Sequence, residues 1–201
     1  MCRGYLGIKL DKHLIWDKHI NKIISKISCR VGIIRKLSFF LPTKILLSLY
    51  YALIHCNLEY LCLIWGSAAN HYLKQIQVLQ NRCLKYIFKL PSQHPTTDLY
   101  DVCKILSIKG IYCKQVCKFV NAVLKNIEYH NINFYSVNHQ HNTRNSINLY
   151  YSASSSNFGQ KKISSIGPCL YNKLPLELKT CEFKIFCSKL KNPNKNSKEE
   201  V

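Results

Sequence analysis

The sequence predicts a mainly α protein: a three-helix bundle after a short strand, with a smaller, irregular α+β region towards the C-terminus. Three observations carry that expectation. Between Asp17 and Phe88, apolar residues recur three and four positions apart in three successive stretches, the period of a helix with one buried face. Pro42, Gly66 and Pro91 fall between or after those stretches, where helices start and stop. Only Arg3–Leu10 and two short stretches beyond residue 146 have β-compatible composition. An apolar fraction of 47% in 201 residues suffices for a real core.

Charge narrows the function classes. Lys and Arg number 29 against 10 Asp and Glu, a formal +19, which favours a polyanionic partner, nucleic acid ahead of an acidic membrane surface. Eleven cysteines are an odd number at irregular spacing, and no basic segment followed by an apolar one opens the chain. The expectation is a cytoplasmic or nuclear protein, not a secreted one, with reduced thiols. Cys29, Cys56, Cys62 and Cys83 fall in helical patterns, as small core residues do.

Arg3–Leu10 reads as one strand that needs sheet neighbours, and none are evident nearby. From Asp17 to about Leu37, Ile20, Ile23, Ile24, Ile27, Val31, Ile34 and Leu37 mark one face of a helix. Lys18, Lys22, Lys26 and Arg30 recur every four residues on its other side. No acid follows Asp17 to pair with them at helical spacing, so the stripe is expected to face phosphates.

Pro42 suits the first turn of a second helix. Its residues Ile45, Leu46, Leu49, Tyr50, Leu53 and Ile54 surround most of the circumference, which predicts a buried central helix. Ile45–Trp65 is just long enough to cross a bilayer, but His55, Asn57 and Glu59 sit in its middle, where a charge is expensive, which favours a buried helix over a membrane span. Gly66 is the expected C-cap. Asn70 is the expected N-cap of a third helix, with Leu73, Ile76, Leu79, Cys83, Leu84, Ile87 and Phe88 inside and Lys74, Arg82, Lys85 and Lys89 outside.

A turn-rich linker at Ser92–Thr97 marks a boundary. Helical stretches follow at Leu99–Leu106 and Ile111–Ile127. A loop rich in Asn and His spans 128–146, and Ile147–Tyr151 with Lys162–Ile166 reads as a hairpin around a serine-rich turn. Asn192–Val201 is lysine-rich, with the composition of a disordered tail.

Several short motifs in one order add a family resemblance. They are Tyr5-Leu6-Gly7-Ile8-Lys9-Leu10-Asp11 with Leu14, Trp16, His19-Ile20 and Lys26, followed by Leu49-Tyr50, Ala52-Leu53, Leu58, Tyr60 and Trp65-Gly66. Leu79-Gln80 and Arg82 come next. The last group is His141-Asn142-Thr143-Arg144, Gly167-Pro168, Leu170, Asn172, Leu174-Pro175 and Phe183-Lys184, with Tyr171 where the family usually has tryptophan. Together they resemble the palm–thumb junction and C-terminal extension of reverse transcriptases from jockey-like non-LTR retrotransposons. The resemblance implies a remnant of palm at 1–11 with a primer-grip-like strand (Tyr5, Leu6, Gly7), a thumb-like bundle at 12–91, an extension at 92–191 and a basic tail at 192–201. It further implies an RNA/DNA primer–template as partner, and that Met1 stands where a palm domain would otherwise continue.

A polymerase of this class holds two metal ions on close carboxylates. The aspartates here are Asp11, Asp17, Asp98 and Asp101, with no adjacent pair. No catalytic residue and no metal ligand is therefore expected in this chain, and Mg2+ would belong to the missing palm. Cys113 and Cys117, with Cys103 and His130, lie in or beside a helix rather than in the tight loops of a zinc site. What remains is binding by Lys18, Lys22, Lys26, Arg30, Arg82 and Lys85, contacts that position nucleic acid without reading sequence. Apart from the resemblance, Gln80 and Arg82 read as exposed helix residues. Two alternatives stay open: a domesticated basic nucleic-acid-binding protein, and a subunit of an active reverse transcriptase completed by a separate palm. An apolar surface left without its palm would favour self-association.

Overall fold

A computed structural model describes residues 3–11, 14–125, 148–150 and 155–190. The fold is mainly α with one small sheet, as the sequence predicts. It divides into two compact units, Met1–Tyr112 and Cys113–Val201.

The first unit begins with a correction. Arg3–Leu10 is not one strand seeking neighbours but a hairpin, β1 (Arg3–Tyr5) paired antiparallel with β2 (Ile8–Leu10). Leu6 and Gly7 form the two-residue turn, with φ of 46° and 81°. Two positive φ angles match the twist of the flanking strands, and glycine adopts the second without strain. Ile8 enters the core, while Tyr5 and Leu6 stay exposed.

Helix α1 (Asp17–Leu37) buries His19, Ile20, Ile23, Ile27, Val31 and Ile34. The Asp11 carboxylate prepares its start by accepting the N–H groups of Ile15 at 3.0 Å and Trp16 at 3.2 Å. The expected central helix is interrupted. It runs as α2 (Thr43–Tyr50), a π-helical turn (Tyr51–His55) and α3 (Cys56–Glu59), then breaks at left-handed Leu61 before α4 (Cys62–Trp65). The break turns the Tyr60 carbonyl towards the Trp65 indole N–H, 3.0 Å away, while Ile64 N–H bonds the Leu61 carbonyl instead. Periodicity does not register this because the apolar spacing carries on through it.

Gly66 is the C-cap of α4, but in right-handed conformation. Close approach requires it: a Cβ there would lie 2.3 Å from the Tyr112 ring. Asn70 is the first residue of α5 (Asn70–Ile87), not its cap; Ala69 precedes it with no side-chain cap. At its end, Leu90 N–H bonds Lys85 carbonyl and Lys89 N–H bonds Tyr86 carbonyl, the paired closure of a helix ending in a left-handed residue. Lys104 closes α6 (Thr97–Cys103) the same way.

Leu99, Ile105, Ile108 and Ile111 join the same core as α1 to α5. The first unit therefore continues past the linker at Ser92–Thr97 and ends inside α7 (Ile108–Leu124). Gln80 is fully buried there rather than exposed. Its amide donates to the Tyr50 hydroxyl and the Leu106 carbonyl, each at 2.8 Å. One turn earlier, Gln77 donates to the Tyr100 hydroxyl at 2.5 Å and accepts the Ile108 N–H at 3.1 Å. One polar edge of α5 thus recognises α2, α6 and α7.

In the second unit, α7 supplies buried Val116, Cys117, Val120 and Val123. Short helices α8 (Asn157–Gln160), α9 (Ile163–Asn172), α10 (Leu176–Thr180) and α11 (Phe183–Lys189) follow. The expected hairpin is corrected here: Lys162–Ile166 leads into and forms the start of α9. Leu149 is held by the Asn172 amide, which accepts its N–H at 2.8 Å and donates to its carbonyl at 2.9 Å. Tyr171 is buried against Phe186 and accepts from Asn121 at 3.2 Å. The His141–Arg144 motif and the tail lie outside the described residues.

Candidate nucleic-acid interface

The hairpin turn sits on the N-terminal half of α1. Tyr60 donates its hydroxyl to the Leu6 carbonyl at 2.8 Å, and the Lys22 ammonium reaches the Gly7 carbonyl at 3.4 Å. Lys9 N–H donates to Nδ1 of His19 at 3.4 Å. Gly7 is thereby brought beside Lys22 and Leu6 beside Tyr60, so that both turn carbonyls face side chains of the helical bundle, while Tyr5 at the end of β1 stays exposed.

His19 reports the local field. Burial against Trp65 holds its imidazole below the ordinary histidine value, and the charges of Lys22, Lys26 and Lys9 lower it further. Three cations from two elements therefore lie within electrostatic reach of one buried ring. Lys9 is the member that sequence reasoning missed. A single-strand reading gave it no contact with α1, whereas the connection closed on Asp11 lays β2 against the helix, so that Lys9 N–H meets His19.

The basic stripe does not stay on one side of its helix. Residues four apart advance about 40° around an α-helix, so by Arg30 the stripe has turned roughly 120° towards the packed side. Lys18 and Lys26 are exposed and Lys22 half-buried. The Arg30 guanidinium instead donates to the Leu53 carbonyl at 2.6 Å, within the π-helical turn, where Asn57 also donates at 2.8 Å. Lys85 is likewise engaged, donating to the Ser92 carbonyl. Arg82 is exposed on the outer face of α5. The structure thus groups Lys9, Lys22 and Lys26 about His19 at the hairpin end, leaves Lys18 exposed in the first turn of α1, and gives Lys22, Arg30 and Lys85 carbonyl partners within the fold. No acid occurs between Asp17 and Glu59 to neutralise this face.

Comparison with known proteins bears on what this face meets. Over 89 residues, 41% of the chain, the sequence is 33% identical to the probable RNA-directed DNA polymerase from transposon X-element of Drosophila melanogaster. The chain is related to a retrotransposon reverse transcriptase. It spans about 10% of that protein's length. No family model matches, and neither does any solved structure.

Among the described residues there is no cluster of three or more His, Cys, Asp or Glu able to hold an ion. Asp98 and Asp101 lie exposed on α6, and the Asp11 carboxylate is committed to backbone N–H groups. Buried Cys83 and Cys117 have thiols pushed up to about 12 by desolvation, which removes them as nucleophiles near neutral pH. Among the described residues no helix is long and apolar enough to cross a membrane.

Proposed function

We propose that this chain is the primer–template-holding part of a retrotransposon reverse transcriptase, corresponding to the thumb and C-terminal region, with polymerisation chemistry supplied by residues outside it. The observation that carries this reading is the grouping of Lys9, Lys22 and Lys26 about His19 beside the hairpin turn, with Lys18 exposed one turn earlier on a helix that has no acid beyond Asp17. Similarity to an RNA-directed DNA polymerase supplies the class of polyanion. Phosphate contacts from lysine hold a duplex in register without reading its bases, as a polymerase that copies any template requires.

Duplex binding should be sequence-tolerant and salt-dependent. Four phosphate contacts give a slope of about −3.6 in log affinity against log salt for duplex DNA. Replacing Lys22 and Lys26 together with glutamine should flatten it by about 1.8. The paired control is Lys195→Gln with Lys198→Gln in the tail. Equal flattening by both pairs would show that net charge, rather than this face, does the binding. Purified chain should extend no primer with magnesium or manganese; extension abolished by Asp98→Asn or Asp101→Asn would place the chemistry here instead.

A further inference from the structure

The corner between α1 and α2 displays Phe39 at 77% and Phe40 at 84% exposure, the two most exposed large apolar side chains among the described residues. The corner is well fixed. Buried Ser38 donates its hydroxyl to the Arg35 carbonyl at 2.7 Å, and the N–H groups of Phe40 and Leu41 both bond the Leu37 carbonyl. Leu37 and Leu41 pack inward on the core, so a rigid turn holds the two rings out in water. Arg35 and Lys36 in the last turn of α1 and Lys44 in the first turn of α2 flank the corner in the chain, all exposed. A third aromatic, Tyr86, carries the Arg35 guanidinium 5.6 Å from its ring centre.

We propose that this corner is a stacking platform for unpaired bases of a single-stranded nucleic acid, which rests on the reading of the chain as a primer–template binder. Aromatic faces stack on any base, and flanking cations take the phosphates. Charge complementarity selects this occupant over a second copy of the chain, because a symmetric contact would set Arg35, Lys36 and Lys44 against the same three cations. Position along α1 adds to the argument. Lys36 is five helical turns beyond Lys18 and therefore at the same azimuth, about 27 Å away, a span of roughly eight nucleotides along one strand of a duplex. A strand held at the hairpin end and followed along α1 reaches the aromatic corner after that length.

The test uses the full chain, a 15-nucleotide single-stranded DNA containing 2-aminopurine, and a blunt 15-base-pair duplex. Wild type should quench the 2-aminopurine on binding. Phe39→Ala with Phe40→Ala should abolish the quench and weaken single-strand binding about tenfold or more, with duplex binding within twofold and an unchanged far-ultraviolet spectrum. Phe39→Trp with Phe40→Trp should restore both signals. Lys36→Gln with Lys44→Gln should flatten the single-strand salt slope by about 1.4. The platform is refuted if wild type binds the duplex without quenching the single strand, or if the double alanine variant weakens both probes equally. It is also refuted if that variant instead abolishes self-association or binding to phosphatidylserine vesicles while single-strand affinity is unchanged. Wild type that binds neither probe sinks the primer–template reading along with it.

Discussion

Replacing Gln80 with leucine tests whether the first unit is held together by a buried polar clasp. The side chain lies wholly inside the core, where its amide joins the Tyr50 hydroxyl of α2 to the Leu106 carbonyl before α7. Leucine fills similar volume but leaves both partners without a donor. An unpaired buried hydroxyl such as that of Tyr50 costs about 2 kcal/mol. The carbonyl of half-buried Leu106 costs about 1 kcal/mol, since water reaches part of that residue. Against this, Oε1 of Gln80 has no hydrogen-bond partner among the described residues, and removing it returns about 1 kcal/mol. The net loss is about 2 kcal/mol, or roughly 10 °C in Tm for a unit of this size. Both tryptophans, Trp16 and Trp65, are buried in the first unit, so a denaturant titration followed by their emission reads that unit alone. The decisive measurement is the double variant with Tyr50→Phe. Removing both partners of a hydrogen bond costs less than removing one, so the two substitutions should couple by about 1 kcal/mol. Strictly additive effects, with coupling under about 0.3 kcal/mol, would refute the clasp.

Arg30→Gln should lower stability by about 1 kcal/mol, since the bond to the Leu53 carbonyl is charge-assisted yet partly solvated and Asn57 keeps its own bond; its salt slope for duplex DNA should match wild type, and a flattened slope would return Arg30 to the phosphate face. Lys104→Gly should raise stability by about 1 kcal/mol, because the residue sits at φ 53° at a helix end where glycine is relaxed and its side chain is exposed; thermal unfolding that shifts downward would contradict this. The folded chain holds His19 below its ordinary value of 6.5, so the unfolded chain binds more protons in that range and stability falls as pH drops below about 6.5. His19→Phe should remove part of that fall, and parallel pH profiles for variant and wild type would show that His19 does not contribute.

The sequence by itself determined the helices, because burial of one face writes a 3.6-residue period that any long amphipathic segment displays. It placed α1 at Asp17–Leu37, matching the structure end to end, and it fixed the basic character of the exposed side. It also carried the order of motifs that points to a reverse transcriptase, which a partial match to a transposon polymerase supports. Other features were settled only by contacts between distant residues. The connection closed on Asp11 lays Lys9 against α1, and one azimuthal drift separates Lys26 from Arg30, so neighbours in a spacing pattern receive different partners. Gln80 reads as a surface residue because polar side chains usually are; it is buried because Tyr50 and Leu106, far away in sequence, offer it hydrogen bonds. Asn70 is a good capping residue that does not cap, and Lys162–Ile166 is β-compatible but leads into a helix. In each case local preference amounts to about 1 kcal/mol, and packing against the rest of the fold outweighs it.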